Sequence, residues 1–170
     1  MQTFLPYPDF LRTARALDQR RLGKQRVEAI QVLRGLTRPG YGWRHHPAVR
    51  MWAGYEEALV RYGLDICAAW TAAGRADTCA GTLAADLAAG CGISTVRSQY
   101  ELAAAGELPP WLGRDDLHLS HRAALLRKDP EFYGPLFAGA AREVPAGSED
   151  LEYVWPASDR EPACRNRPVP

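Results

Sequence analysis

The residues best suited to chemistry lie in one stretch, Asp18-Gln19-Arg20-Arg21-Leu22-Gly23-Lys24-Gln25-Arg26-Val27-Glu28, where a single late carboxylate follows four cationic side chains. A carboxylate among cations stays ionised, which suits it to stabilise a positive intermediate or to relay a proton. Arg20, Lys24 and Glu28 are spaced by four and share one helical face. The plainer reading of that face is a surface knit by a Lys24–Glu28 pair, worth only a few tenths of a kcal/mol.

Two histidine groups follow, Trp43-Arg44-His45-His46-Pro47 and His118-Leu119-Ser120-His121-Arg122. His118 and His121 are three apart, so both rings could face one way on a helix. A metal site would need a third ligand, and no HExxH or cysteine cluster supplies one. No metal and no cofactor are expected. Hydrogen bonding or phosphate contact is the better use of these rings, and His118 and Ser120 at a helix start would suit a phosphate contacted by free amides. Among the aromatics, Trp52 and Trp70 fall in apolar helical patterns and read as core. Tyr41 and Trp43 sit in a glycine-rich loop beside Arg44 and suit base stacking.

The elements that must hold these groups read as helices. Pro6 and Pro8 keep MQTFLPYPDF an extended arm, and Asp9 suits an N-cap for a helix over Phe10 to about Ala16. A longer helix spans Leu17 to Leu36, with Leu22, Val27, Ile30, Leu33 and Leu36 as its apolar stripe and Gly23 as a weak point. Another starts near Pro47. Tyr55 to Ala73 carries Leu59, Tyr62, Ile66 and Trp70 inward, with Gly74 ending it. Residues 77–106 allow two short helices parted around Gly90 to Ser94. Ser120 to Lys128 reads as a short basic helix, and Pro130 can start another. From Arg142 the chain is an irregular tail with Tyr153-Val154-Trp155-Pro156 as its apolar anchor. No strand alternation or repeat occurs, so the spacing predicts an all-α domain of five to seven helices over 1–156, with an irregular tail over 157–170.

The 170 residues fit one domain, and their net charge of +1 conceals an asymmetry. Residues 1–50 carry ten basic and three acidic side chains, a net +7, while the remainder carries 11 basic and 17 acidic, a net −6. A basic face of this kind is the electrostatic footprint of a nucleic-acid partner. No apolar run approaches a membrane span, and the opening residues lack the basic and apolar parts of a signal peptide. A cytoplasmic, nucleoid-associated monomer is therefore expected, with no membrane partner. Cys67, Cys79, Cys91 and Cys164 form no CxxC pair, and reduced thiols are expected.

Taken together, MQTFLPYPDF, ALDQRRLGKQRVEAIQVL, GWRHHPAVRMWAGYEEAL, PPWLG, HLSHRAALLRKDPEFY and YVWP resemble the bacterial branch of the pyrimidine-dimer DNA glycosylase (phage endonuclease V-like) family. The resemblance implies a compact all-α protein that binds damaged duplex DNA and cleaves the glycosidic bond of a pyrimidine dimer. It also implies attack by the chain's own α-amine, assisted by a glutamate that matches Glu28. An α-amine, with an ordinary pKa of about 7.7 to 8.0, keeps a useful neutral fraction near neutral pH. The family nucleophile is a threonine bared by loss of the initiator methionine. Here the bulky Gln2 leaves Met1 in place, so the amine of Met1 becomes the candidate. Arg20, Arg21, Lys24, Arg26, Trp43, Arg44, His45, His46, His118, Ser120, His121 and Arg122 are the expected DNA contacts. Two other readings fit the same residues: a non-catalytic binder of distorted DNA, and an enzyme on another modified base working through its four histidines.

Overall fold

The computed structural model describes residues 1–138 and 143–164. Among these the chain forms eight α-helices and no strand: α1 (Phe10–Ala16), α2 (Gln19–Thr37), α3 (Pro47–Arg50), α4 (Glu56–Ala72), α5 (Cys79–Cys91), α6 (Gln99–Ala104), α7 (Asp115–Lys128) and α8 (Pro130–Tyr133). A π-helical turn, Gly134–Ala138, follows α8. The all-α class holds. Eight exceeds the expected five to seven, and two of the eight, α3 and α8, are single turns of four residues at the expected Pro47 and Pro130 starts.

Caps set most boundaries. Asp9 accepts from the Arg12 N–H at 2.5 Å and starts α1. Asp18 accepts from the amides of Arg20 and Arg21 at 2.9 and 3.1 Å and starts α2. Asp18 is also gripped by Arg21 at 2.7 Å and by the Tyr133 hydroxyl at 2.6 Å. Burial raises its pKa, but these bonds outweigh burial and the net shift is downward. Gly74, at a φ of +77°, turns the chain after α4. The expected basic helix at Ser120 begins five residues earlier, on Asp115 and Asp116, whose charges suit a first turn.

Helix α2 lies against α4 and α5, and α1 lies against α4. Gly63 permits that closeness: a Cβ there would meet Leu83 Cδ1 at 2.6 Å and Ala29 Cβ at 3.1 Å. Gly23, the weak point of α2, carries the Trp70 ring at the same kind of contact, 3.0 Å from where a Cβ would be. Val27 departs from the expected stripe and is 46% exposed, since it lies about 140° round the helix from Leu22. The buried face instead runs through Leu22, Gln25, Ala29, Val32, Leu33 and Leu36.

The N-terminal arm is extended as expected, but it is core and not surface. Gln2, Thr3, Phe4 and Leu5 are all buried. No neighbouring strand satisfies their backbone, so side chains do. Phe4 N–H donates to Gln25 Oε1 at 2.9 Å, Leu5 N–H donates to His121 Nδ1 at 3.0 Å, and Arg122 donates to Pro6 O at 2.7 Å. Trp52 Nε1 donates to Thr3 Oγ1 at 3.0 Å, and Tyr62 Oη donates to Phe4 O at 3.0 Å.

The C-terminal segment is irregular yet tied down. The Ser158 hydroxyl donates to Ala53 O, Tyr55 Oη donates to Asp159 at 2.7 Å, and Ala163 N–H donates to Glu56 at 3.2 Å. Cys164 is joined to Cys91 by a disulfide, with Cα atoms 4.8 Å apart, which overturns the expectation of four reduced thiols. The wide sequence separation of 73 residues hid a pair that the fold brings together. Cys67 and Cys79 remain free thiols. Among the described residues no helix is long and apolar enough to cross a membrane. Arg142 and residues 165–170 lie outside the described residues.

Candidate active site

The arm ends beside α2. Met1 N stands 3.7 Å from Glu28 Oε1, and Lys24 Nζ stands 3.3 Å from the same oxygen. Gln25 Nε2 donates to Glu28 Oε2 at 2.5 Å. Glu28 is only 4% exposed, although α2 carries it at the edge of the cationic face that the spacing indicated. It is therefore no mere surface partner of Lys24.

This pair lies in a cleft of about 390 Å³. Arg20, Arg21, Lys24 and Lys128 give one wall, and His46, Phe4, Gln2, Tyr153 and Trp155 complete it. His46 caps α3, accepting Ala48 N–H on Nδ1 at 3.1 Å. Its pKa is lowered by burial first and by the N-terminal ammonium second, with Glu28 opposing both. Rings of Trp43, His46, Trp155 and Tyr153 follow one another along the rim with centroids 5.6 to 5.9 Å apart. Trp43 is half exposed.

Six sequence-derived candidates thus converge on the cleft: Met1, Glu28, Arg20, Arg21, Lys24 and His46. Arg21 is partly committed, donating to Asp18, to Asp129 at 3.3 Å and to Lys128 O at 3.0 Å. Arg44 and His45 are exposed in the preceding loop, bonded to each other at 2.9 Å, and line an adjoining groove with Arg50 and Trp155.

Others are spent elsewhere. Arg26 points away from the cleft, pairs with Asp77 at 2.5 Å and stacks 4.0 Å over Trp70. His118, Ser120 and His121 lie in the first two turns of α7, each buried, and the His118 amide is already bonded to Arg114 O. His118 Nε2 accepts Gly113 N–H at 3.0 Å, so its Nδ1 carries the proton and donates to Leu5 O at 2.8 Å. His121 has the opposite tautomer, because Nδ1 accepts from Leu5 N–H. Both rings are neutral in these roles. Burial lowers the pKa of His118, and it lowers that of His121 to about 3, with His118 adding to the latter shift. Ser120 Oγ donates to Leu117 O and accepts Val154 N–H. Arg122 is held by Pro6 O and Glu143 O. These four residues organise the arm and the C-terminal segment through bonds in the interior, and His121 Nε2 alone among the ring nitrogens of His118 and His121 has no hydrogen-bond partner. The four-histidine reading loses half its residues.

Gln25, Lys128 and Tyr153 line or brace the site without having been expected there, whereas Trp155 was one of the aromatics that could stack on a base. Gln25 had a usable signal, its position three residues before Glu28 on one helix. Tyr153 had none, since only long-range packing brings it to α2. Among the described residues no three His, Cys, Asp or Glu side chains gather as metal ligands.

Chemically, the site offers an amine and a carboxylate in near contact, at the base of a cleft whose other charges are positive. Such an arrangement can attack an electrophilic carbon on a polyanion and stabilise the cation that results. Residues 1–81, just under half of the chain, match the family model described as pyrimidine dimer DNA glycosylase. That span holds the arm, Glu28 and the whole cationic stretch of α2, and the match supports this family and DNA as partner. No curated protein and no solved structure matches the chain.

Proposed function

We propose, proceeding from that match, that the protein is a glycosylase of the family's bacterial branch. It removes a damaged pyrimidine from duplex DNA through the Met1 amine assisted by Glu28. The observation that carries this reading is the 3.7 Å approach of the Met1 nitrogen to a buried carboxylate in a cationic cleft. The neutral amine attacks C1′ of the damaged nucleotide. A carbon–nitrogen bond forms as the glycosidic bond breaks, and the base departs with the electron pair and takes up a proton. Glu28 accepts the proton that the attacking nitrogen must lose. Glu28 passes that proton to O4′ as the sugar ring opens, which gives a protonated imine between Met1 and C1′ and restores the carboxylate that stabilises its positive charge. Water can hydrolyse that imine and leave an abasic site. Alternatively, loss of a C2′ proton expels the 3′ phosphate and breaks the strand, which is the lyase outcome. Arg20, Lys24 and Lys128 supply phosphate contacts, and Trp43 and Trp155 supply faces on which an unstacked base can rest.

The test is borohydride trapping on duplexes carrying one pyrimidine dimer or one abasic site, using protein whose N-terminus is verified by mass spectrometry. A covalent adduct mapped to Met1 is expected, and acetylation of the amine should remove it. Tight binding of dimer-containing DNA with neither adduct nor base release would reject catalysis and leave a binding module.

A further inference from the structure

Gln25 is fully buried on α2 and belongs to no ion pair, yet it touches both halves of the amine–carboxylate pair's framework. Its Oε1 accepts Phe4 N–H at 2.9 Å and the Tyr62 hydroxyl at 2.7 Å, while its Nε2 donates to Glu28 Oε2 at 2.5 Å. A backbone N–H can only donate and an ionised carboxylate can only accept. The amide therefore has one permitted orientation, oxygen toward the arm and nitrogen toward Glu28. Tyr62 reinforces it from α4, its single hydroxyl proton shared between Gln25 Oε1 and Phe4 O. With Oε2 occupied, the other oxygen of Glu28 is left facing Met1 N at 3.7 Å and Lys24 at 3.3 Å.

We infer that Gln25 is a positioning residue, whose single amide fixes the carboxylate of Glu28 and the arm that ends in the Met1 amine with respect to each other. The inference rests on the reading that this amine and carboxylate act together, and it adds the group that aligns them. Gln25 touches no reacting atom. Its effect should therefore appear in rate and in proton affinity, not in DNA affinity.

Two variants test it. Gln25→Glu keeps the shape and still accepts from the arm, but it opposes Glu28 oxygen to oxygen, so the two carboxyl groups must share a proton. Gln25→Leu keeps bulk and loses both contacts. In single-turnover base release, Gln25→Glu should move the acidic limb of the pH–rate profile by about one unit or more. Gln25→Leu should slow the step by about 100-fold, with Kd for dimer-containing DNA within about threefold, as expected for lost orientation and not lost binding. A DNA-free readout runs beside these: the pH dependence of reductive methylation at the Met1 amine, followed by mass spectrometry. Once the shared proton is lost at higher pH the pair carries a second negative charge, so Gln25→Glu should displace the methylation midpoint upward by about half a unit or more.

Circular dichroism identifies which variant is folded, and either folded variant suffices. Methylation profiles and turnover that superimpose on those of the unmodified protein would overturn the positioning role. If the amine titration shifts but the unmodified protein never forms a DNA adduct, the glycosylase reading falls and the positioning role stands. A normal adduct in a folded variant with unchanged amine titration gives the converse.

Discussion

Replacing Glu28 by Gln removes one charge while nearly preserving volume, and the surroundings allow the cost to be reasoned out. Gln25 Nε2 can still donate to the new side-chain oxygen, so the 2.5 Å contact within α2 has a successor. The Lys24 partner is mostly exposed, and solvent screening limits its contribution to about 0 to 1 kcal/mol. The Met1 contact is different, because both groups are buried against the arm. Two unit charges at about 4 Å interact by roughly 4 kcal/mol at an effective dielectric of about 20. A cation formed on the Met1 nitrogen during the reaction sits at the same place and loses stabilisation of that order, equivalent to roughly 1,000-fold in rate. Loss of a proton acceptor alone commonly costs about 10² to 10⁴, which brackets the same figure. The assay is single-turnover base release at neutral pH, with affinity measured separately by gel shift and folding checked by thermal melting. Glu28→Gln should lose about three orders of magnitude in rate and keep Kd within about threefold. A folded Glu28→Gln protein that turns over within tenfold of the unmodified one would refute the assignment of Glu28 to the reaction.

Acid should weaken the fold through α7. An unfolded histidine titrates near 6.5, whereas folded His121 titrates at about 3, so its stabilising contribution is complete above pH 6.5 and falls as pH drops from there toward 3. By pH 5 the loss from this residue alone should be about 2 kcal/mol, and urea titrations at several pH values should show it flattened in His121→Gln. Reducing the Cys91–Cys164 bridge, or replacing Cys164 by Ser, should lower stability by up to about 4 kcal/mol on loop-closure grounds, read as a fall in the urea midpoint. Arg20→Gln should weaken DNA binding similarly on all sequences and reduce the slope of log K against log salt by about 0.9, measured by fluorescence anisotropy, whereas Arg26→Gln should leave that slope unchanged.

Much of the fold could be read locally because its boundaries are written in short-range chemistry. Asp9, Asp18, Gly74 and the Asp129-Pro130 step mark helix ends through bonds that reach no more than a few residues. Glu28 was legible for a similar reason, as the lone carboxylate after a cationic run. What failed was whatever depends on distant residues. His118 and His121 look like surface ligands until Leu5, more than 110 positions away, takes their nitrogens. Arg26 sits in the same basic run as Lys24, but two residues on, about 200° round the helix, it meets Asp77. Val27 belongs to an apolar pattern by type and to solvent by angle. The Cys91–Cys164 bridge likewise joins parts with no local sign of one another.

The buried arm also bears on the order in which the molecule is made. Leu5 and Pro6 are made early in this sequence, but the rings and guanidinium that satisfy their backbone, His118, His121 and Arg122, are synthesised more than a hundred residues later. Until α7 emerges, the Leu5 amide and the Leu5 and Pro6 carbonyls lack these partners, and loop closure over that distance belongs to the slow class of folding events. Nascent chains halted before residue 115 should therefore expose the arm to protease, while chains released at full length should protect it. The part of the arm that holds Leu5 and Pro6 is thus made early and seated only when α7 arrives.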